Sequence, residues 1–255
     1  MKTVKLTLIT LSVLSVMAAC NKGNVAFNPN GNTNGSTNPT DQAASLVTAS
    51  LAVSTDGAFN TISDVSVETQ AHVKIDSLCG TTWTDSVSRS IPKTPGGISY
   101  NYFAKYTYAL NCDSLAKNGI YDGSSTATSN YSGSYTGPNL SSTNSGSSTF
   151  TIAGLGRDST SYLLNGTYMR GGSYTSKTDT GTNNVQVKLI NVQLSKPFQI
   201  IKGGNASITV TGTSNKNGSF SYSGVLVFNG GNLATLTLNG TVYDINLATG
   251  AQVRQ

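Results

Sequence analysis

Charge is scarce in this chain. Of its 255 residues only 11% are Asp, Glu, Lys or Arg, with one glutamate (Glu68), one histidine (His72) and one tryptophan (Trp83). So thin an inventory leaves little for acid–base catalysis. The sequence contains no nucleophile elbow, zinc-helix motif or phosphate loop, which are the patterns that place such groups. "GLGRDS" at residues 154–159 lacks the last glycine of a dinucleotide fingerprint and reads as a turn. The pairs Asp56/Asp64 and Asp85/Asp113 are candidate carboxylate couples for glycoside hydrolysis, but no spacing selects them. An enzyme is not expected, nor a cofactor. Cysteine is equally sparse, with Cys20, Cys79 and Cys112 alone. Two isolated thiols and one imidazole do not make a zinc site, so no metal is expected. No basic run or arginine cluster is present, which argues against nucleic acid. The formal charge is +5, two units of it from Lys2 and Lys5.

The longest apolar run is also short. Residues 6–17 follow Lys2 and Lys5 and precede Ala18-Ala19. About twelve residues are too few to cross a bilayer, which takes about 20, and the pattern is that of a secretory signal peptide. The run ends in "MAAC", which resembles the lipobox of bacterial lipoproteins. In that family the cysteine thiol receives a diacylglycerol, the leader is cut just before it and the new amino terminus is acylated. Carried over, residues 1–19 are the signal and Cys20 is the lipid anchor. Residues 20–40 then contain Asn, Gly, Thr and Pro with only Val25 and Phe27 as large apolar side chains. Such a chain cannot bury enough surface to order itself, and its end-to-end distance is about 25 Å. It reads as a tether that floats residues 41–255, a single β-rich domain, beside the membrane. With Cys20 lipidated, Cys79 and Cys112 form an even pair in an exported protein. A disulfide between them closes a loop of about 33 residues, contributing about 3–4 kcal/mol.

What is abundant is Ser, Thr, Asn, Gly and tyrosine in alternation. Asp41 is a candidate N-cap for a helix over residues 42–53, with Ala43, Leu46, Val47 and Leu51 on one face, and a short turn is possible around Phe59 and Ile62. From Val65 to Ile75 apolar and polar residues alternate, which predicts a strand with His72 on its polar, solvated face, although a helical reading survives to about Ala71. The strongest signal is "ISYNYFAKYTYALNC", where Ile98, Tyr100, Tyr102, Ala104, Tyr106, Tyr108, Leu110 and Cys112 share one parity. Phe103 and Ala109 are the exceptions on the other. Later runs alternate likewise. "NGGN" at 229–232 and "NG" at 239–240 are hairpin signals, so residues 220–253 predict a three-stranded meander. Nine to eleven short strands argue for an all-β, mainly antiparallel fold. The preferred form is a curved meander or half-barrel wrapped on a short N-terminal helix, and the alternative is a two-sheet sandwich.

The lipobox, the Asn/Gly tether, "LAVSTDGAFNTISD", a "CG" followed by a long tyrosine strand ending in cysteine, and an "LNGTY"-rich tail together resemble a group of β-rich lipoproteins of Bacteroidota. The resemblance implies a habitat, not an activity. Lacking an acidic run after Cys20, the chain is expected on the periplasmic face of the outer membrane. Bacteroidota O-glycosylate exported proteins at Asp followed by Ser or Thr and a small or aliphatic residue. Ser77, Ser86, Ser114 and Ser159 match that pattern, while the alternative is that Asp-Ser pairs mark turns. Two functions stay open. In one, a binding module holds a glycan or hydrophobic ligand on Tyr100, Tyr102, Tyr106 and Tyr108, whose faces suit sugar rings. The same row at one parity is also what the core face of a sheet looks like, and that reading is preferred. In the other, an envelope interaction protein with a filled core has no small-molecule ligand.

Overall fold

The computed structural model describes residues 38–73, 80–93, 97–111, 123–156, 159–196 and 200–255. The expected signal peptide, the Cys20 anchor, most of the tether, Ser77, Ser114 and the Cys79–Cys112 pair lie outside them. Two helices come first, α1 (Pro39–Leu51) and α2 (Ala58–Val73), joined by a 3₁₀ turn at Val53–Thr55. Eleven strands follow, β1 (Thr82–Ile91), β2 (Ser99–Asn111), β3 (Ser124–Thr136), β4 (Leu140–Ala153), β5 (Ser161–Ser176) and β6 (Thr180–Ser195), then β7 (Ile201–Ser214), β8 (Gly218–Gly230), β9 (Leu233–Leu238), β10 (Thr241–Asn246) and β11 (Gln252–Arg254). Each strand pairs antiparallel with the next, so the order in the sheet is the order in the chain. The result is a curved, open meander with helices on one face. The second layer is helical, so the sandwich alternative is not what forms.

Helix α1 starts earlier than expected. Pro39 supplies the φ a first helical residue needs and has no N–H to leave unpaired. The cap is therefore Asn38, whose side chain accepts from the Thr40 N–H at 3.0 Å. Asp41 is left free for a distant role and accepts from the Tyr243 hydroxyl at 2.7 Å. Helix α2 corrects the strand expected over residues 65–75. Phe59, Ile62, Val65, Ser66 and Thr69 are all buried, whereas Val67, which an alternating strand buries with Val65, is exposed. Helical geometry also accommodates the polar members, since Ser66 Oγ donates to the Ile62 carbonyl at 2.8 Å. His72 therefore sits on a helix.

The inward face of the sheet and the apolar sides of the helices make one core. Leu46, Val47, Leu51, Phe59, Ile62 and Val65 pack with Tyr106, Phe150, Tyr168, Val187, Leu226 and Tyr243. Fully burying each large side chain contributes about 1.5–3 kcal/mol. The C-terminal meander has four strands rather than three, because β11 adds Gln252–Arg254 to β10. Its tight turn is the one expected, with Asn239 at φ 48° and Gly240 at φ 79°.

Candidate binding face

The tyrosine row belongs to the core. Tyr102, Tyr106 and Tyr108 are 1–2% exposed, and Tyr100 is half-buried. Two of the hydroxyls have protein partners. Tyr102 donates to Asn144 Oδ1 at 3.0 Å and accepts from Arg170, and Tyr106 donates to Asp64 Oδ2 at 2.7 Å. Burial, then the nearby Asp64 carboxylate, pushes the Tyr106 phenol up. Burial, then Glu68, does the same for Tyr108. Tyr108 stacks on Trp83 at 5.1 Å, and Trp83 on His72 at 4.3 Å. No phenol of these three offers a ligand its face.

Asp56 and Asp64 do meet, but on a cation. Arg89 Nη1 donates to Asp56 Oδ1 at 2.7 Å and Nη2 to Asp64 Oδ2. Burial raises the Asp64 pKa, with Arg89 and Tyr106 opposing it. Held this way, the two carboxylates tie β1 to the helical layer and leave neither oxygen pair facing a sugar bond. Asp85 is exposed on β1, and Asp113 lies outside the described residues. Among the described residues no three His, Cys, Asp or Glu side chains gather as a metal site. No described helix is long and apolar enough to cross a membrane.

The opposite face of the sheet is open. Strands β2 to β8 contain no Asp or Glu, and their outward positions are mostly Ser, Thr and Asn. Pairing aligns them across the sheet. One row runs Phe103, Ser132, Ser145, Gly171, Asn184, Thr211. The next runs Ser134, Thr143, Ser173, Thr182, Thr213. Adjacent members stand about 4.8 Å apart. Between these rows lies a shallow groove of about 460 Å³, lined by Ser132, Ser134, Thr143 and Ser145 with Gly133, Asn144, Gly171 and Gly172.

Glycine makes the groove. Gly171 points outward and has no side chain to fill it. Gly133 and Gly172 point inward, where a Cβ would come within 2.6 Å of Tyr102 Cγ and 2.7 Å of Asn144 Cα. Tyr102 and Asn144 press against the backbone from below, so the core tyrosine supports the floor of the groove. Beside it Phe103 is 49% exposed and stands opposite Ser132. Arg170, two residues from Gly172, is buried under the floor and donates to the Ala49 carbonyl at 3.2 Å, the Thr55 carbonyl at 3.0 Å and the Tyr102 hydroxyl.

A hydroxyl-lined, acid-free groove with an aromatic at its edge suits a neutral polar ligand. It has no carboxylates for a cation and no arginine fork for phosphate. Parity reading missed the site because it favours the apolar face. The available signals were Phe103 on the polar parity and the Gly171-Gly172 pair inside a long strand. Of the expected glycan acceptors, Ser86 is exposed on β1, while Ser159 is partly buried and donates to the Ser161 carbonyl at 2.6 Å. No family model, curated protein or solved structure matches this chain.

Proposed function

We propose that this chain is a non-enzymatic binding module of the bacterial cell envelope, lipid-anchored through Cys20 to the periplasmic face of the outer membrane, that holds a neutral, hydroxyl-rich ligand such as a glycan. The observation that carries this reading is the groove over β3, β4 and β5. It is uncharged, lined by hydroxyls and flanked by the exposed Phe103 ring. The ligand site thus moves from the tyrosine row to the opposite face of the same sheet. Binding is tested by titrating neutral oligosaccharides into the domain by calorimetry, after a glycan-array screen. Phe103→Ala removes the stacking surface. Gly171→Val fills the groove from the outward side, where the nearest atom to a new Cβ is the Asn183 carbonyl at 3.3 Å. Each variant is expected to weaken binding about tenfold or more, at about 1.4 kcal/mol per decade. Native affinity retained by both variants, or no neutral glycan bound, refutes the site.

The filled inner face supports a second reading, an interaction protein with no small-molecule ligand, since the helices and paired tyrosine hydroxyls leave that face closed. Intact mass of the protein from its own host tests the anchor. Acyl mass on Cys20 is expected, and a bare chain refutes it.

A further inference from the structure

We infer that β1 is a self-pairing edge, through which two copies of the chain join their sheets about a twofold axis at Val87. Strand β1 ends the strand order, and among the described residues nothing pairs with its outer side. It offers ten residues, against three in β11 at the other end. A free edge of that length is a template for another strand. The chemistry of β1 says which strand fits.

The backbone parity comes first. The Leu110 N–H donates to the Thr81 carbonyl at 3.3 Å, so odd-numbered residues of β1 turn their amides to β2. Even-numbered residues turn theirs to the free edge. In agreement, the Ser86 N–H has no strand partner and is taken by Asp85 Oδ1 at 2.7 Å. An antiparallel copy must therefore pair even residues with even residues. With the axis at Val87, Ser86 meets Ser88 and Thr84 meets Ser90 as hydrogen-bonded pairs.

The side chains select this register. "WTDSVSRSI" is a chemical palindrome about its valine. Trp83 faces the second copy's Ile91 and Val87 faces Val87, so apolar side chains meet apolar ones, while Asp85 stands beside Arg89, whose Nη1 and Nη2 are already held by Asp56 and Asp64 of its own chain. Ile91 is 43% exposed in the single chain and gains a tryptophan. Asp85 releases the Ser86 N–H as that amide joins the new ladder. Aromatic and β-branched side chains directly across strands favour pairing, and like charges oppose it. A slip of two residues either way sets Asp85 opposite Val87 or Ile91 and Arg89 opposite Trp83 or Val87. An isologous contact of this kind closes at two copies, since each edge is used once.

The test is sedimentation mass of the whole chain over a concentration series, with two variants and a cross-link. Ser88→Pro removes an edge-facing N–H that β2 does not use, a place where proline is tolerated. Val87→Lys places two like charges opposite each other on the axis. Val87→Cys sets two thiols in a close, non-hydrogen-bonded pair with Cα atoms about 4.5 Å apart, within disulfide reach. Ser90→Cys is the control, about 20 Å from its own copy at 3.4 Å per residue. The expected result is a two-chain mass for the native protein, a one-chain mass for Ser88→Pro and Val87→Lys with unchanged circular dichroism, and a reducible dimer from Val87→Cys alone. A native protein that stays monomeric at its highest soluble concentration overturns the proposal. So does a dimer that Ser88→Pro leaves intact, or Val87→Cys and Ser90→Cys linking at equal rates. Capture of a foreign extended peptide by a monomeric chain overturns it as well.

Discussion

Replacing Arg170 with methionine tests how this core tolerates a buried cation. The guanidinium is 1% exposed, and its nearest partners are oxygens rather than a carboxylate. Two of them, the Ala49 and Thr55 carbonyls, lie at the end of α1 and in the turn after it. The last carbonyls of a helix have no intrahelical donors and carry its negative pole, so a buried cation fits there. Arg170→Met leaves the Thr55 carbonyl without its donor, at about 1–3 kcal/mol. It also removes guanidinium contacts over the Tyr102 ring at 4.9 Å and the Tyr135 ring at 5.3 Å, together about 1–3 kcal/mol. Ala49 keeps the Thr55 hydroxyl at 2.5 Å and Tyr102 keeps Asn144, which limits the loss. Relief of the buried charge offsets part of it. The net expectation is a destabilisation of about 2–4 kcal/mol, or a melting point lower by about 5–15 °C. Urea unfolding followed by Trp83 fluorescence and circular dichroism, extrapolated linearly, measures it. A variant as stable as the native protein, or more so, refutes the reasoning and means that desolvation of the guanidinium outweighs everything it binds.

Other consequences are as direct. Gly146→Ala drives a Cβ into the Met169 carbonyl and the Tyr131 ring, which are hydrogen-bonded at 2.7 Å. A loss of about 1–3 kcal/mol is expected, against less than about 0.5 for Gly203→Ala, whose Cβ meets nothing closer than 4.0 Å. Thermal melts compare the two, and equal melts refute the contact. Alkaline stability follows from the phenols. Burial raises Tyr106 and Tyr108, and burial with Asp179 holds Tyr174 up to about 12. Groups raised in the fold contribute stability that is complete below their unfolded pKa, about 10, and is lost as pH rises through the folded values. Urea midpoints are therefore expected to hold to about pH 10 and fall above it, with phenolate absorbance appearing at unfolding. Phenols that all titrate near the ordinary value in a folded protein contradict it.

The chain by itself determines its strands. Alternation over residues 98–112 becomes β2, and Asn239-Gly240 becomes a turn because both residues take positive φ. A period of two is a local property that survives any arrangement of neighbours. The parity that gathers Tyr102, Tyr106 and Tyr108 is local too, and it puts them on one side of the sheet. Helix α2 was not decided locally. Val65 and Ser66 are both buried, which neither alternation nor apolarity announces, and only a helix lying against the sheet buries adjacent residues this way. Phe103 and Gly171 acquire their meaning from register, since four strand pairings bring Phe103, Ser132, Ser145, Gly171 and Asn184 into one line. Arg170 shares the parity of Tyr168 and Tyr174, but that a cation lies there depends on carbonyls more than a hundred residues away in the chain. Which face of the sheet the helices cover is set by long-range packing, and that covering decides whether a tyrosine fills a core or a serine meets a ligand.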